Sequence, residues 1–230
     1  MDNNLIITLT KSPLFAGIQL HELEKMVNCL NPIIEESPKN TFLAIAGDQL
    51  ESIGILLSGE AMIIKENAAG NRLVMAIVKT GDMFGEMAVF SANPYWPASV
   101  LAKEDSLVFF LSKDKILNQC EKVCNWHRMM IQNLLKIVTE KALMLNKKVE
   151  YLIIKSLRGK ISAFLLDQAK SAKNNSFILP MNRNEMADFL NVSRPSMSRE
   201  MGLMRREGII DYHLAEIQII NPEKLKQGVE

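Results

Sequence analysis

The spacing of apolar residues changes along the chain, and each change predicts a new element. Ser12 to Leu30 opens on Ser-Pro and places Leu20, Leu23, Met26, Val27 and Leu30 at three- and four-residue steps, which predicts a short amphipathic helix. From Ile33 to Phe110 the pattern becomes short β-branched and aliphatic runs, Ile53 to Leu57, Ala61 to Lys65, Leu73 to Val78 and Leu107 to Leu111. Turn residues punctuate them at Gly47-Asp48, Ser58-Gly59, Ala69-Gly70-Asn71 and Gly81-Asp82. Strands this short cannot each bury a face alone, so they predict a compact antiparallel roll or barrel.

After Pro97 neither Gly nor Pro recurs until Gly159, and Ile116, Val123, Met130, Ile131, Leu134, Ile137, Val138, Met144 and Leu145 return at helical spacing. This predicts one long helix from Lys113 to about Leu145, of roughly eight or nine turns. Such a helix carries more apolar surface than a small roll can cover, and its free stripe is expected to meet an identical helix in a parallel dimer. A second helix is predicted from about Val149 to Ser171, with Leu152, Ile153, Leu157, Ile161, Phe164, Leu165 and Ala169 on one side, ended by Lys173-Asn174-Asn175-Ser176. A short hinge between Asn146 and Lys155 is expected to separate the domains.

The stretch from Met181 to Met201 holds the densest local signals. Asn182 can cap a first helix with Glu185 three residues on, a capping box, and Met186, Phe189 and Leu190 form its apolar face. Asn191 tolerates a left-handed turn, Val192 is expected to be buried, and Ser193 can cap a second helix with Pro195 in its first turn. That helix runs to about Arg206, closed by Gly208, with Met197, Met201 and Met204 inward and Arg194, Ser196, Ser198, Arg199 and Arg205 outward. Ile209 to Tyr212 and Glu216 to Ile220 then predict a hairpin wing. Two helices around a short turn, the second bearing arginines near its start, predict a helix-turn-helix whose recognition helix enters the major groove of double-stranded DNA. Arg199 and then Arg194 are the candidate base readers, because a guanidinium can donate twice to guanine. Ser196 and Ser198 are candidates for a phosphate or a base, and Asn182, Arg183 and Lys160 for backbone phosphates.

Charge supports this placement once it is divided along the chain. The net formal charge is only +1, yet from Lys147 onward 14 basic residues face 10 acidic ones. The basic excess therefore lies where DNA is expected. With 48% hydrophobic and 23% charged residues the composition is that of a globular chain. No long uninterrupted apolar run and no export signal is visible, which predicts a cytoplasmic protein with no membrane partner. Three cysteines, Cys29, Cys120 and Cys124, are too few and too irregular for a disulfide framework.

Taken together, Leu57-Ser58-Gly59-Glu60-Ala61, Gly81 to Phe90, Pro97-Ala98-Ser99-Val100 and Asn191 to Glu200 resemble the Crp/Fnr family, that of the cAMP receptor protein and the FNR-type oxygen regulator. The resemblance implies an α+β chain over nearly its full length. It has an N-terminal double-stranded β-helix, or cyclic-nucleotide-binding-like β-roll, over residues 1–112, a long dimerisation helix over 113–148, and a C-terminal winged helix-turn-helix over 149–230. It further implies a homodimeric transcription regulator, not an enzyme, with RNA polymerase as a partner. Relatives that bind cAMP follow Gly-Glu with Arg-Ser; here Gly85 and Glu86 are kept, but Trp96-Pro97 stands in that place and offers neither charge nor hydroxyl. No cAMP binding is expected, and the cysteine set of an FNR-type iron–sulfur cluster is missing. Pro195 also stands where many relatives place a base-reading Glu, so the half-site should differ at that base.

The signal is open at this point. Cys120, Cys124 and His127 fall on one helical face, a weak candidate set for metal or haem, against the simpler reading of buried core residues. A redox signal through the thiols is a further reading, and an unidentified small-molecule effector another, in an apolar pocket drawn from Gly85, Glu86, Trp96, Met75, Phe84, Leu145 and Asn146. The rival to DNA binding is a cyclic-nucleotide-binding-like module acting through a protein partner.

Overall fold

The computed structural model describes residues 3–66, 72–118 and 125–229. It divides into two compact units, Met1–Glu140 and Lys141–Glu230. In the first unit, helices α1 (Asn3–Leu9) and α2 (Leu20–Leu30) precede strands β1 (Ile33–Ser37), β2 (Phe42–Ala44), β3 (Ser52–Ser58), β4 (Glu60–Glu66), β5 (Arg72–Lys79), β6 (Met83–Phe84), β7 (Ser99–Ala102) and β8 (Ser106–Ser112). The strands form two antiparallel sheets, ordered β1-β8-β3-β6 and β2-β7-β4-β5. The predicted turn at Ala69-Gly70-Asn71 lies outside the described residues.

The unbroken apolar run of β3 follows from burial on both of its faces. Successive side chains of a strand point to opposite sides. Ile53, Ile55 and Leu57 therefore join Leu23, Met26 and Val27 of α2 in one core, while Leu56 faces Ala61, Val78 and Val100 inside the roll. β8 divides the same way: Phe109 and Leu111 go to the helices, Val108 and Phe110 to the roll interior.

The segment read as one helix from Lys113 is corrected. α3 (Lys113–Leu117) ends at Asn118, whose backbone is extended (φ −75°, ψ 122°), and the long helix α4 starts later and runs Asn125–Ile153. The Ile116 carbonyl accepts a hydrogen bond from His127 Nε2 at 2.6 Å, a tertiary contact to the last turn of α3. The second predicted helix also shifts. Val149 to Ile153 complete α4, and α5 (Leu157–Ala172) begins only after Ser156, whose hydroxyl accepts from the Gly159 amide. Ser156 is a side-chain N-cap, and it places the break at Ile154 to Ser156.

The second unit continues with β9 (Ser176–Ile178), α6 (Arg183–Leu190), α7 (Arg194–Arg206), β10 (Ile210–His213), β11 (Glu216–Ile219) and α8 (Pro222–Gln227). The wing is a three-stranded sheet ordered β10-β11-β9; β9 has no counterpart in the sequence reading. Its core gathers Tyr151, Phe164, Met186, Leu190, Met197, Met201, Met204, Ile210 and Ile217.

Two glycines give opposite expectations. A Cβ on Gly54 in β3 would stand 2.2 Å from the Phe84 ring, whereas one on Gly202 in α7 meets nothing within 4 Å. Gly54→Ala should cost about 1–3 kcal/mol of stability through overpacking, and Gly202→Ala should add about 0.5–1 kcal/mol through helix propensity. Urea unfolding of the two variants checks the signs.

Candidate nucleic-acid interface

The helix-turn-helix is set by local caps that the sequence announces. Asn182 Oδ1 accepts from the amides of Asn184 and Glu185, and Glu185 Oε2 accepts from the Asn182 amide at 2.8 Å. Asn191 sits in the left-handed region (φ 52°) and closes α6. Ser193 then caps α7, its Oγ accepting from the Ser196 amide, with Pro195 in the first turn. Met197, Met201 and Met204 are buried on the inner side of α7.

That rotation leaves Ser198 and Arg199 exposed; Arg194 is exposed at the first position of α7, and Ser196 is half-buried. The Arg199 Nη2 donates to Ser196 Oγ at 3.2 Å, and Ser193 Oγ donates to the same oxygen at 2.8 Å. Arg194 and Arg199 make no ion pair among the described residues. Arg205, in contrast, binds Asp211 at 2.6 Å.

Asn182 is exposed, and its side-chain carbonyl serves the α6 cap. Lys160 on α5 donates to the Leu190 carbonyl at 3.4 Å, at the end of α6. Arg183 is turned inward: its guanidinium lies 4.9 Å from the centre of the Tyr212 ring and donates to the Met201 sulfur. Burial draws its pKa below the ordinary arginine value. Arg205 approaches the same ring at 5.1 Å, so Tyr212 links α6, α7 and the wing by cation–π contacts. A cleft of about 330 Å³ lies beside these groups, lined by Asn182, Arg183, Asn184, Arg194, Leu179, Met181, Leu214 and Ala215.

Sequence reasoning missed Arg158. Its Nε donates to Glu200 at 2.6 Å, and its Nη1 and Nη2 donate to the two Glu207 oxygens at 2.8 and 2.9 Å. This fork ties α5 to α7. The seven-residue spacing of Glu200 and Glu207 on one helical face was the available signal, but nothing in the sequence marks their partner.

On the roll, the structure brings Phe84, Gly85 and Trp96 together. The Phe84 and Trp96 rings are 5.9 Å apart, and a Cβ on Gly85 (φ 86°) would lie 2.8 Å from Trp96 Cη2. Glu86 is buried. Met75 is exposed on β5, and Leu145 and Asn146 are exposed on α4. Cys120 and Cys124 lie outside the described residues. His127 is buried and stacked on Trp126; because a carbonyl only accepts, the bond to Ile116 puts its proton on Nε2. Among the described residues no cluster of His, Cys, Asp and Glu suits a metal ion, and no helix is long and apolar enough to cross a membrane.

Residues 34–123 match the sequence model of the cyclic nucleotide-binding domain, and residues 159–227 that of the Crp-like helix-turn-helix domain. The chain belongs to the Crp/Fnr family. It is a DNA-binding transcription regulator of that family. Among curated Crp/Fnr relatives, the Anaerobic regulatory protein of Bacillus subtilis is 23% identical over 75% of this chain and 73% of its own length. The Cyclic AMP receptor protein of Thermus thermophilus is 21% identical over 86% of this chain and 88% of its own. A solved structure of CprK complexed with OCPA aligns with TM-score 0.63 at 16% identity, covering 89% of this chain and 93% of that one. At that identity the likeness establishes the shared fold.

Removing Arg158 breaks three charge-assisted hydrogen bonds at a partly exposed site, so Arg158→Ala should cost about 1–2 kcal/mol. Hydrogen bonds from Arg158 hold the Glu207 carboxyl below its usual value of 4.5. A depressed carboxylate stabilises the fold above its unfolded pKa and ceases to as the pH falls through its folded one. The stability gap between wild type and Arg158→Ala, measured by chemical denaturation, should thus be full above pH 4.5 and shrink on further acidification.

Proposed function

We propose that the protein is a homodimeric, sequence-specific regulator that reads a near-palindromic site through α7 and answers to an effector other than a cyclic nucleotide. The carrying observation is the exposed pair of Arg194, at the start of α7, and Arg199, on the side of α7 opposite three buried methionines. Arg199 is assigned the base contact, Arg194 the second, and Ser196 and Ser198 the neighbouring positions. Asn182 is assigned a backbone phosphate. Arg183 and Lys160 are assigned to positioning the module, since each is directed at a neighbouring element. RNA polymerase is the expected protein partner, in the cytoplasm where the DNA lies.

The dimer is supported by α4. Ile131, Leu135, Val138, Ala142, Leu145, Val149 and Leu152 alternate steps of four and three, the seam of a parallel coiled coil. Leu135, Leu145 and Val149 are each more than half exposed in the single chain, which a second α4 would cover. Val149→Glu should halve the mass seen by light scattering and weaken binding to a palindromic duplex.

The exclusion of cyclic nucleotides is supported by Trp96, whose ring lies against Gly85 and brings no charge to a phosphate. Millimolar cAMP should leave DNA affinity unchanged. Without DNA binding, measurable cAMP binding would instead favour the module that acts through a protein partner.

Selection from random oligonucleotides should enrich one half-site sequence. Arg199→Ala should lose about 1–3 kcal/mol of discrimination at a single base pair, and unchanged preference removes its assigned role. Affinity should fall steeply with salt as phosphate contacts release counterions.

A further inference from the structure

The roll carries a cleft of about 430 Å³ lined by Leu43, Gln49, Glu51, Ser52, Trp96 and Phe110. We propose that it binds a small organic cation with an apolar body, the charge set between the Glu51 carboxylate and the aromatic faces. The inference concerns the roll alone and stands whether or not α7 reads bases.

Its lining joins the Trp96 and Phe110 rings and Leu43 with the polar Gln49 and Ser52, and its one charged side chain is an acid, Glu51. A ring face attracts a cation through its quadrupole, and a carboxylate adds charge of the right sign. Glu51 takes part in no ion pair among the described residues. The Lys113 amide donates to the Glu51 carbonyl at 2.9 Å, yet no ion pair joins the two side chains. An anion would meet Glu51 with no lining base to offset it, which disfavours phosphates and carboxylates. A neutral ligand would gain only apolar burial.

The walls are also held in place before any ligand arrives. The Trp96 amide donates to the Asp48 carbonyl and the Trp96 carbonyl accepts from the Gly47 amide, each at 2.9 Å. Leu50 donates to Pro94 at 2.7 Å, and Gln49 bridges to Tyr95. Behind the cleft, the Phe84 ring stands 5.9 Å from Trp96 and 6.1 Å from Phe110, edge-on to the latter. Rings fixed in this way lose little freedom on binding. The volume suits a molecule of one ring and a short amine chain.

The test is calorimetric titration of the full chain, without DNA, with phenethylamine, phenylethanol and phenylacetate, which share a body and differ in charge. Phenethylamine, protonated at neutral pH, should bind roughly tenfold or more tightly than phenylethanol, and phenylacetate should bind weakest. Glu51→Gln should abolish the preference for the amine while leaving phenylethanol unchanged. Trp96→Phe should keep it, and Trp96→Leu should weaken amine binding, with circular dichroism confirming that each variant is folded. Equal binding of all three probes, binding of none, tighter binding of phenylacetate, or a preference that survives Glu51→Gln overturns the proposal. A failure here leaves the oligonucleotide selection untouched, so the two readings fall separately.

Discussion

Burial of Met197, Met201 and Met204 fixes the rotation of α7 about its own axis, and the chemistry of the DNA-binding unit depends on that rotation. Steps of four and three place the three side chains on one face of a helix. With that face inward, Arg199 is turned to the opposite side and Ser198 to the flank, while Arg194, the first residue of α7, is exposed at the start of the helix. The magnitudes decide which contacts set this geometry: truncating a buried methionine costs about 2–5 kcal/mol, whereas an exposed ion pair contributes about 0–1 kcal/mol. The Arg158 fork and the Tyr212 stack therefore trim the placement of α7 that the methionines determine. Met201 serves in both, since its sulfur also accepts from Arg183.

A comparable division organises the roll. Because β3 and β8 are apolar on both faces, one face can close against helices while the other closes against the second sheet. Phe84 and Trp96 then occupy the neighbourhood of Gly85, the glycine kept from the nucleotide-binding pattern. Gly85 holds a positive φ of 86°, and aromatic carbon of Trp96 stands beside it. A fold that matches the cyclic nucleotide-binding domain does not by itself set the ligand, which depends on the residues at the site.

The legible parts of the chain were those governed by local rules. Asn182 with Glu185, Asn191, Ser193 and Pro195 each act within a few residues, so the helix-turn-helix and its outward arginines could be read with nearly correct boundaries. Strands with full apolar runs, such as β3 and β8, were also visible. Where a tertiary partner intervenes, periodicity misleads. The apolar spacing runs on past Leu117, yet α3 ends there, and the Ile116 carbonyl accepts from a histidine eleven residues away. The same limit hid Arg158, whose partners lie 42 and 49 residues along the chain. The inward turn of Arg183 was equally invisible, since it depends on Tyr212 of the wing.

The two candidate sites carry opposite charge, and this restricts how the protein can be controlled. An anionic polymer is suited to the arginines of α7 and unsuited to a cleft whose only charged lining residue is Glu51. DNA and a cation on the roll therefore do not compete for one surface, so control cannot be simple displacement. A ligand on the roll alters DNA affinity only to the extent that it binds two conformations of the protein unequally, and DNA must then alter the ligand's affinity by the same factor. Among the described elements, α4 contributes side chains to the cores of both units. It begins with Trp126, Met130 and Leu134 in the core of the roll and ends with Tyr151 in the core of the DNA-binding unit.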